Sequence, residues 1–290
     1  MKLIKEYIWT LSILLLLLLT SCEDPIYNVS VLSGEGGSAT ISSNQVMPGW
    51  KVTLTATADE RYVFANWTVD GTVISTENPC EVVVNKSTQF KANFEKMEYC
   101  GHEYVDLGLS VKWATCNIGS SSPEGRGRLF EWGETTSKAI SGWNNYKYCQ
   151  GASNALTKYC TDSKLGIKDG KTPLELLDDA AYMNWGGPWR MPTSYEFAEL
   201  KNSKNCEWKY VTQKGVRGFK ITSNINGASI FLPSETKGTY EYWLSTLWPY
   251  NNSYAYCLGS SYTMGRPDRY EMFITSTASC SKLYIRPVCK

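Results

Sequence analysis

Residues 50–57, Trp-Lys-Val-Thr-Leu-Thr-Ala-Thr, alternate without a break, and this constrains the local fold more tightly than any other stretch of the 290-residue chain. Trp50, Val52, Leu54 and Ala56 fall on one side of an extended chain; Lys51, Thr53, Thr55 and Thr57 fall on the other. A period of two predicts a half-buried strand. The pattern returns in QFKANF, with Phe90, Ala92 and Phe94 inward. Between them, Asp70-Gly71 suits a tight hairpin, because glycine tolerates positive φ. Residues 27–95 therefore predict a compact all-β module. A module this small has little core to spare, so Phe64 and Trp67 are assigned to that core.

The segments GGSATI, GWKVTLTATADERYVFANWTVDG and TQFKANF, in that order, resemble the divergent repeat of the internalin B type. The resemblance implies a spacer or interaction element on a bacterial cell surface.

The chain starts with Lys2 and Lys5 ahead of a nearly all-apolar run, Ile8 to Leu19. A spanning helix needs about 20 apolar residues, so the run is short and has signal-peptide flanks. It ends in Leu19-Thr20-Ser21-Cys22, which resembles a bacterial lipobox. That implies removal of residues 1–21 and lipidation of Cys22, with 22–26 as a lipidated linker. An ordinary secreted protein with an incidental cysteine, or an N-terminal anchor helix, are the alternatives. Glu23 and Asp24 resemble the surface-export signal of Bacteroidetes lipoproteins, which implies an outer-membrane, outward-facing location.

Without residues 1–21 the chain carries 27 basic and 27 acidic residues. No basic run stands out, so neither nucleic acid nor anionic lipid is an expected partner. The membrane is reached through the lipid anchor only. Nine of the ten cysteines follow Cys22. Disulfides are expected in an exported protein, with at least one thiol left over. There is no CxxC and one histidine, His102, so no metal is expected.

After a link at 96–101, residues 102–290 read as a second domain. Thr172-Pro173-Leu174-Glu175 has capping-box form and predicts a helix to about Met183. Thr193-Ser194-Tyr195-Glu196 predicts a second helix to about Asn202, with Phe197 and Leu200 on its buried face. Strands are predicted at GFKITS and ASIFLP, joined around Asn226-Gly227, and at YAYCL, YEMFI and LYIRPV.

HEYVDLGLSVKWATCNIGSSSPEG, LFEWGETT, DDAAYMNWGGPWRMPTSYEFAELKN, CEWKYVTQKGVRGFKITS, SIFLPS and YIRPVC, in this order, resemble the Fibrobacter succinogenes major paralogous domain. The resemblance implies a C-type-lectin-like fold shared with formylglycine-generating enzymes. The expected fold class is thus α+β: a small all-β module, then a mixed domain of two helices on a twisted antiparallel sheet with long loops.

The Trp-rich stretch 184–192 is expected to be a structural corner. Trp185 and Trp189 fill space between helices and sheet, and Arg190 tethers a carboxylate or carbonyls. Asp178-Asp179 do not converge on a substrate, because adjacent helical residues point about 100° apart; one is read as solvated and the other as a cap or tether. Cys280 and Cys289 are nine apart and depart from the cysteine pair of formylglycine-generating enzymes. Arg266-Pro267-Asp268 departs from the calcium loop of C-type lectins, and few oxygens are on offer. No catalytic residue, cofactor or metal is expected.

Recognition is the expected function. Trp248, Tyr250, Asn251, Asn252, Tyr262, Asp268 and Arg269, in late turns rich in aromatics and small polar residues, are the candidate ligand contacts. The expected ligand is a glycan or a surface protein. A structural subunit of an envelope complex, or a divergent enzyme, are the other readings.

Overall fold

The computed structural model describes residues 25–59, 61–234, 240–263 and 266–290, with side chains at 240, 262–263 and 266–270 left aside. Cys22 and the apolar run before it lie outside the described residues. The chain divides into two compact units between Glu95 and Lys96.

The first unit contains β1 (Tyr27–Ser33), β2 (Gly37–Ile41), β3 (Gln45–Val46), β4 (Trp50–Ala58), β5 (Tyr62–Val69), β6 (Thr72–Ser75), β7 (Cys80–Val84) and β8 (Thr88–Lys96). They form a five-stranded sheet, β3-β1-β8-β5-β6, and a three-stranded sheet, β2-β4-β7. Val52, Leu54 and Ala56 of β4 meet Phe90 and Ala92 of β8 around the fully buried Trp67. Trp50 departs from the alternation and is 59% exposed. It opens β4 and lies outside the core cluster, so the period holds while burial fails at the strand end. Asp70 and Gly71 both have positive φ, 50° and 79°, as a two-residue hairpin between β5 and β6 requires.

The second unit holds β9 (Glu98–Tyr99), β10 (His102–Val105), β11 (Lys112–Ala114), β12 (Cys206–Gln213), β13 (Val216–Ser223), β14 (Ser229–Pro233), β15 (Tyr240–Leu247), β16 (Tyr254–Thr263), β17 (Arg266–Ala278) and β18 (Val288–Cys289). Three small sheets result: β18-β11-β10-β9, β12-β13-β14 and β15-β16-β17. One core cluster gathers Leu107, Trp113, Phe197, Phe219, Ile221, Leu244 and Leu258. A second lies beneath the long loops, built on Phe130, Trp132, Tyr146, Tyr148, Tyr159 and Trp243.

A fully buried guanidinium locks the end of the chain. Arg286 Nε donates to Asn117 Oδ1 at 2.8 Å, and its terminal nitrogens donate to the carbonyls of Ala114, Thr115 and Phe231 at 2.9–3.1 Å. Buried donors must be bonded, and a planar fork reaches three separate strands and loops at once.

The expected α+β class, two helices on a sheet in a C-type-lectin-like domain, is not what forms. Strands take 45% of the structure and helices 7%. The two α-helices described are α1 (Ala180–Trp185) and α2 (Ser194–Lys201), of six and eight residues.

The helix predicted from Thr172 is the main local error. Glu175 is extended, and a single 3-10 turn, Leu176–Asp178, follows it. Pro173 bridges to Thr246, and Glu175 accepts from Lys158 at 2.5 Å instead of folding back as a cap. The helix starts only at Ala180, where Asp179 caps it by accepting from the amides of Ala181 and Tyr182 at 2.8 and 3.3 Å. The Thr193 box, by contrast, is a complete reciprocal cap on α2, and Phe197 and Leu200 are buried beneath it. LYIRPV runs mostly as irregular chain, with β18 limited to Val288–Cys289.

Candidate functional site

Residues 184–192 close a packed corner. Trp189 has no exposed surface. Its indole N–H donates to Tyr99 O at 2.9 Å, and its ring meets Trp185 edge-on at 5.1 Å. Trp185, half-buried, stacks on His102 with centroids 3.8 Å apart and planes 8° apart. Gly186 and Gly187 both have positive φ, which lets the chain turn between the two tryptophans. Arg190 forms a two-pronged pair with Glu196 of α2, one contact being 2.9 Å, and donates to Met191 O at 3.1 Å.

Both neighbouring aspartates are buried, so neither is the solvated residue expected. Burial pushes Asp179 up to about 6, against the pull of the Met191, Tyr182 and Ala181 amides and of Arg190. Burial also opposes the charge of Asp178, but the hydrogen bonds from Lys158 and Tyr159 outweigh it and hold the carboxyl down to about 2. One aspartate is a helix cap and the other anchors a lysine–tyrosine cluster.

The turn between β15 and β16 has the opposite build. Tyr250 is 85% exposed. Trp248, half-buried, sits against Tyr250 and Tyr256 with centroids at 5.5 and 4.8 Å. Asn252 is not a surface contact: it is buried, and its Oδ1 accepts from the Thr161 amide at 2.7 Å and hydroxyl at 2.6 Å. Asn251 Oδ1 accepts from Ser253 N at 2.9 Å, and the Ser253 hydroxyl donates to Ser153 O at 2.5 Å. The polar residues of this turn thus bolt it to the 153–161 loop and leave an aromatic ledge outside. Tyr262, Asp268 and Arg269 belong to β16 and β17 by backbone rather than to a loop, and their side chains lie outside the described residues.

A groove of about 660 Å³ lies elsewhere in this unit, lined by Lys201, Ser203, Glu207, Trp208, Asn224 and Glu271 over buried Cys206, Phe219 and Met272. None of these was singled out from sequence. Trp208 and Tyr210 recur at a spacing of two in CEWKYV, the available hint of a shared aromatic face.

Nine cysteines from Cys80 to Cys289 are free thiols, so no disulfide joins the described residues and the expected framework is not formed. Burial pushes the thiol of the core residue Cys257 up to about 12, and those of buried Cys289 and partly buried Cys280 to about 11. Among the described residues no group of three or more His, Cys, Asp or Glu is arranged to hold a metal ion.

Residues 27–98 match the family model of the divergent InlB B-repeat domain, in agreement with the resemblance seen for the first unit. No curated protein and no solved structure matched the chain.

Proposed function

We propose that the chain is an exported, lipid-anchored surface protein whose second unit recognises a glycan or a surface protein without catalysis. The repeat module is then the spacer between the anchor at Cys22 and the recognition unit, which retains its sequence resemblance to the major paralogous domain. The observation that carries the reading is the aromatic ledge at Trp248 and Tyr250. Rigid aromatic faces provide contact area at low entropic cost, and the buried tethers of Asn252 and Ser253 pre-organise the turn.

The test is a glycan and extracellular-matrix array probed with the mature protein and with Tyr250→Ala. A ligand lost or weakened about tenfold in the variant supports the reading. Undiminished binding by Tyr250→Ala removes the ledge from it. Anchoring is tested separately: Cys22→Ala is expected to move the protein into the soluble exported fraction, and retention in the membrane would favour an anchor helix. A structural-subunit reading draws on Leu176 and Leu177, which are 53% and 71% exposed on the 3-10 turn. Stable co-purification with envelope proteins, without array binding, would favour it.

A further inference from the structure

We propose that the groove beside α2 is a saccharide subsite that accepts a neutral pyranose unit on Trp208, separate from the aromatic ledge. The indole is fixed before any ligand arrives. Its N–H donates to Leu200 O at 3.0 Å, and the rings of Phe197 and Phe219 meet it at 5.7 Å and steep angles. With its one polar group satisfied, Trp208 offers an apolar surface rather than a hydrogen bond. Cys206, Phe219 and Met272 continue that surface as a buried floor. A pyranose has the complementary shape: C–H groups across a face and hydroxyls around the edge.

The rim matches those hydroxyls. Ser203 and Asn224 stand on it with the carboxylates of Glu207 and Glu271 and the ammonium of Lys201. Asn224 Nδ2 donates to Ser203 O at 3.0 Å, which orients the amide so that its carbonyl oxygen is the group left to accept. Lys201 Nζ lies over the Trp208 ring, 5.9 Å from its centroid, where a long flexible side chain can give way to a ligand hydroxyl or bond it. Donors and acceptors both surround the floor, and a sugar hydroxyl is donor and acceptor together. Glu207 is paired with Lys209 at 2.8 Å, so two carboxylates meet two ammonium groups here and leave no net positive charge to draw an anionic sugar. The volume falls within the range of about 300–1,000 Å³ usual for small-molecule sites.

The groove and the ledge are distinct places. Met272, in the groove, pairs with Ser260, whereas Tyr254, next to the ledge, pairs with Ala278. Six residues along β17 separate the two, roughly 20 Å of extended strand. A chain long enough to touch both would gain from the second contact being intramolecular.

The experiment is titration calorimetry on the mature protein in a zwitterionic detergent, with maltohexaose, cellohexaose, chitohexaose and mannohexaose as neutral probes and a heparin hexasaccharide as the anionic one. At least one neutral probe is expected to bind, and more tightly than heparin. The rim variant Glu207→Gln with Asn224→Ala changes exposed side chains and is expected to weaken binding at least tenfold with Tm unchanged. Trp208→Phe, which keeps the floor filled, is expected to weaken it as well. Tyr250→Ala is expected to weaken binding less than the rim variant does, since it removes at most a second contact. The proposal is overturned if no neutral probe binds, if heparin binds best, or if the rim and Trp208 variants bind as wild type. Binding lost in Tyr250→Ala but kept in the rim variant would overturn the groove while leaving the ledge reading in place.

Discussion

The corner around Trp185-Gly-Gly-Pro-Trp189 and the turn Trp248-Pro-Tyr-Asn-Asn252 are similar in kind: aromatics spaced by proline and small or amide residues. Their folded forms are inverted. In the corner the rings go inward, Trp189 bonded to Tyr99 O and wedged against Trp185, with Arg190 half-exposed at the margin. In the turn the amides go inward, Asn252 onto Thr161, and Tyr250 stays in solvent. Composition alone does not separate a packing site from a display site. The difference lies in whether the ring or the polar group meets the buried hydrogen-bonding partner.

The strongest way to break this comparison is at the two tryptophans. Trp189→Ala is expected to destabilise the second unit by about 3–5 kcal/mol, the usual cost of emptying a fully buried large aromatic site. Trp248→Ala removes a half-buried ring and is expected to cost well under half of that. Equal losses in thermal or denaturant unfolding would erase the distinction.

Acid titration sharpens the corner side. Asp179 has a folded pKa raised to about 6, above its ordinary value of 3.8, so the folded state holds the proton more tightly. Its contribution is therefore present in full below pH 3.8 and lost as the pH rises through about 6. The difference is worth roughly 2–3 kcal/mol. Asp178 works the other way: its contribution is present above pH 3.8 and lost as the pH falls towards about 2. Asp179→Asn is expected to flatten the gain in stability between pH 6 and pH 4. A wild-type stability that does not rise on acidification through that window would show that Asp179 is charged at no unusual cost.

The tether on the turn side is a smaller effect. Asn252→Ala leaves the Thr161 amide without its acceptor and is expected to cost about 1–2 kcal/mol. It should also loosen the ledge, seen as weaker ligand binding although the residue never touches ligand. Unchanged binding in a measurably destabilised variant would separate the tether from recognition. The smallest effect belongs to Tyr250→Ala, expected within about 0.5 kcal/mol of wild type, since its side chain is 85% exposed and a surface ring contact with Trp248 contributes little. A Tm drop of several degrees would place Tyr250 in the packing after all.

What could be read from the sequence were features set by neighbours in the chain. The alternation at 50–57 and 89–94 became β4 and β8 because side chains of an extended chain take opposite sides whatever the tertiary setting. Asp70-Gly71 became a hairpin because its backbone angles demand such residues, and the Thr193 box capped α2 because both of its hydrogen bonds span three residues. Other outcomes were decided only when distant segments met. Thr172-Pro173-Leu174-Glu175 has the same local form as the Thr193 box, yet Lys158 and Thr246 claimed Glu175 and Pro173, and Asp179 won the cap. Asn252 read as a contact residue until Thr161, 91 positions away, buried it. The groove draws on α2, β12, β13 and β17, so its ring of polar groups around Trp208 has no counterpart in any single stretch of chain. Propensity and capping act over a few residues, whereas burial and hydrogen-bond competition depend on which segments the whole fold brings within reach.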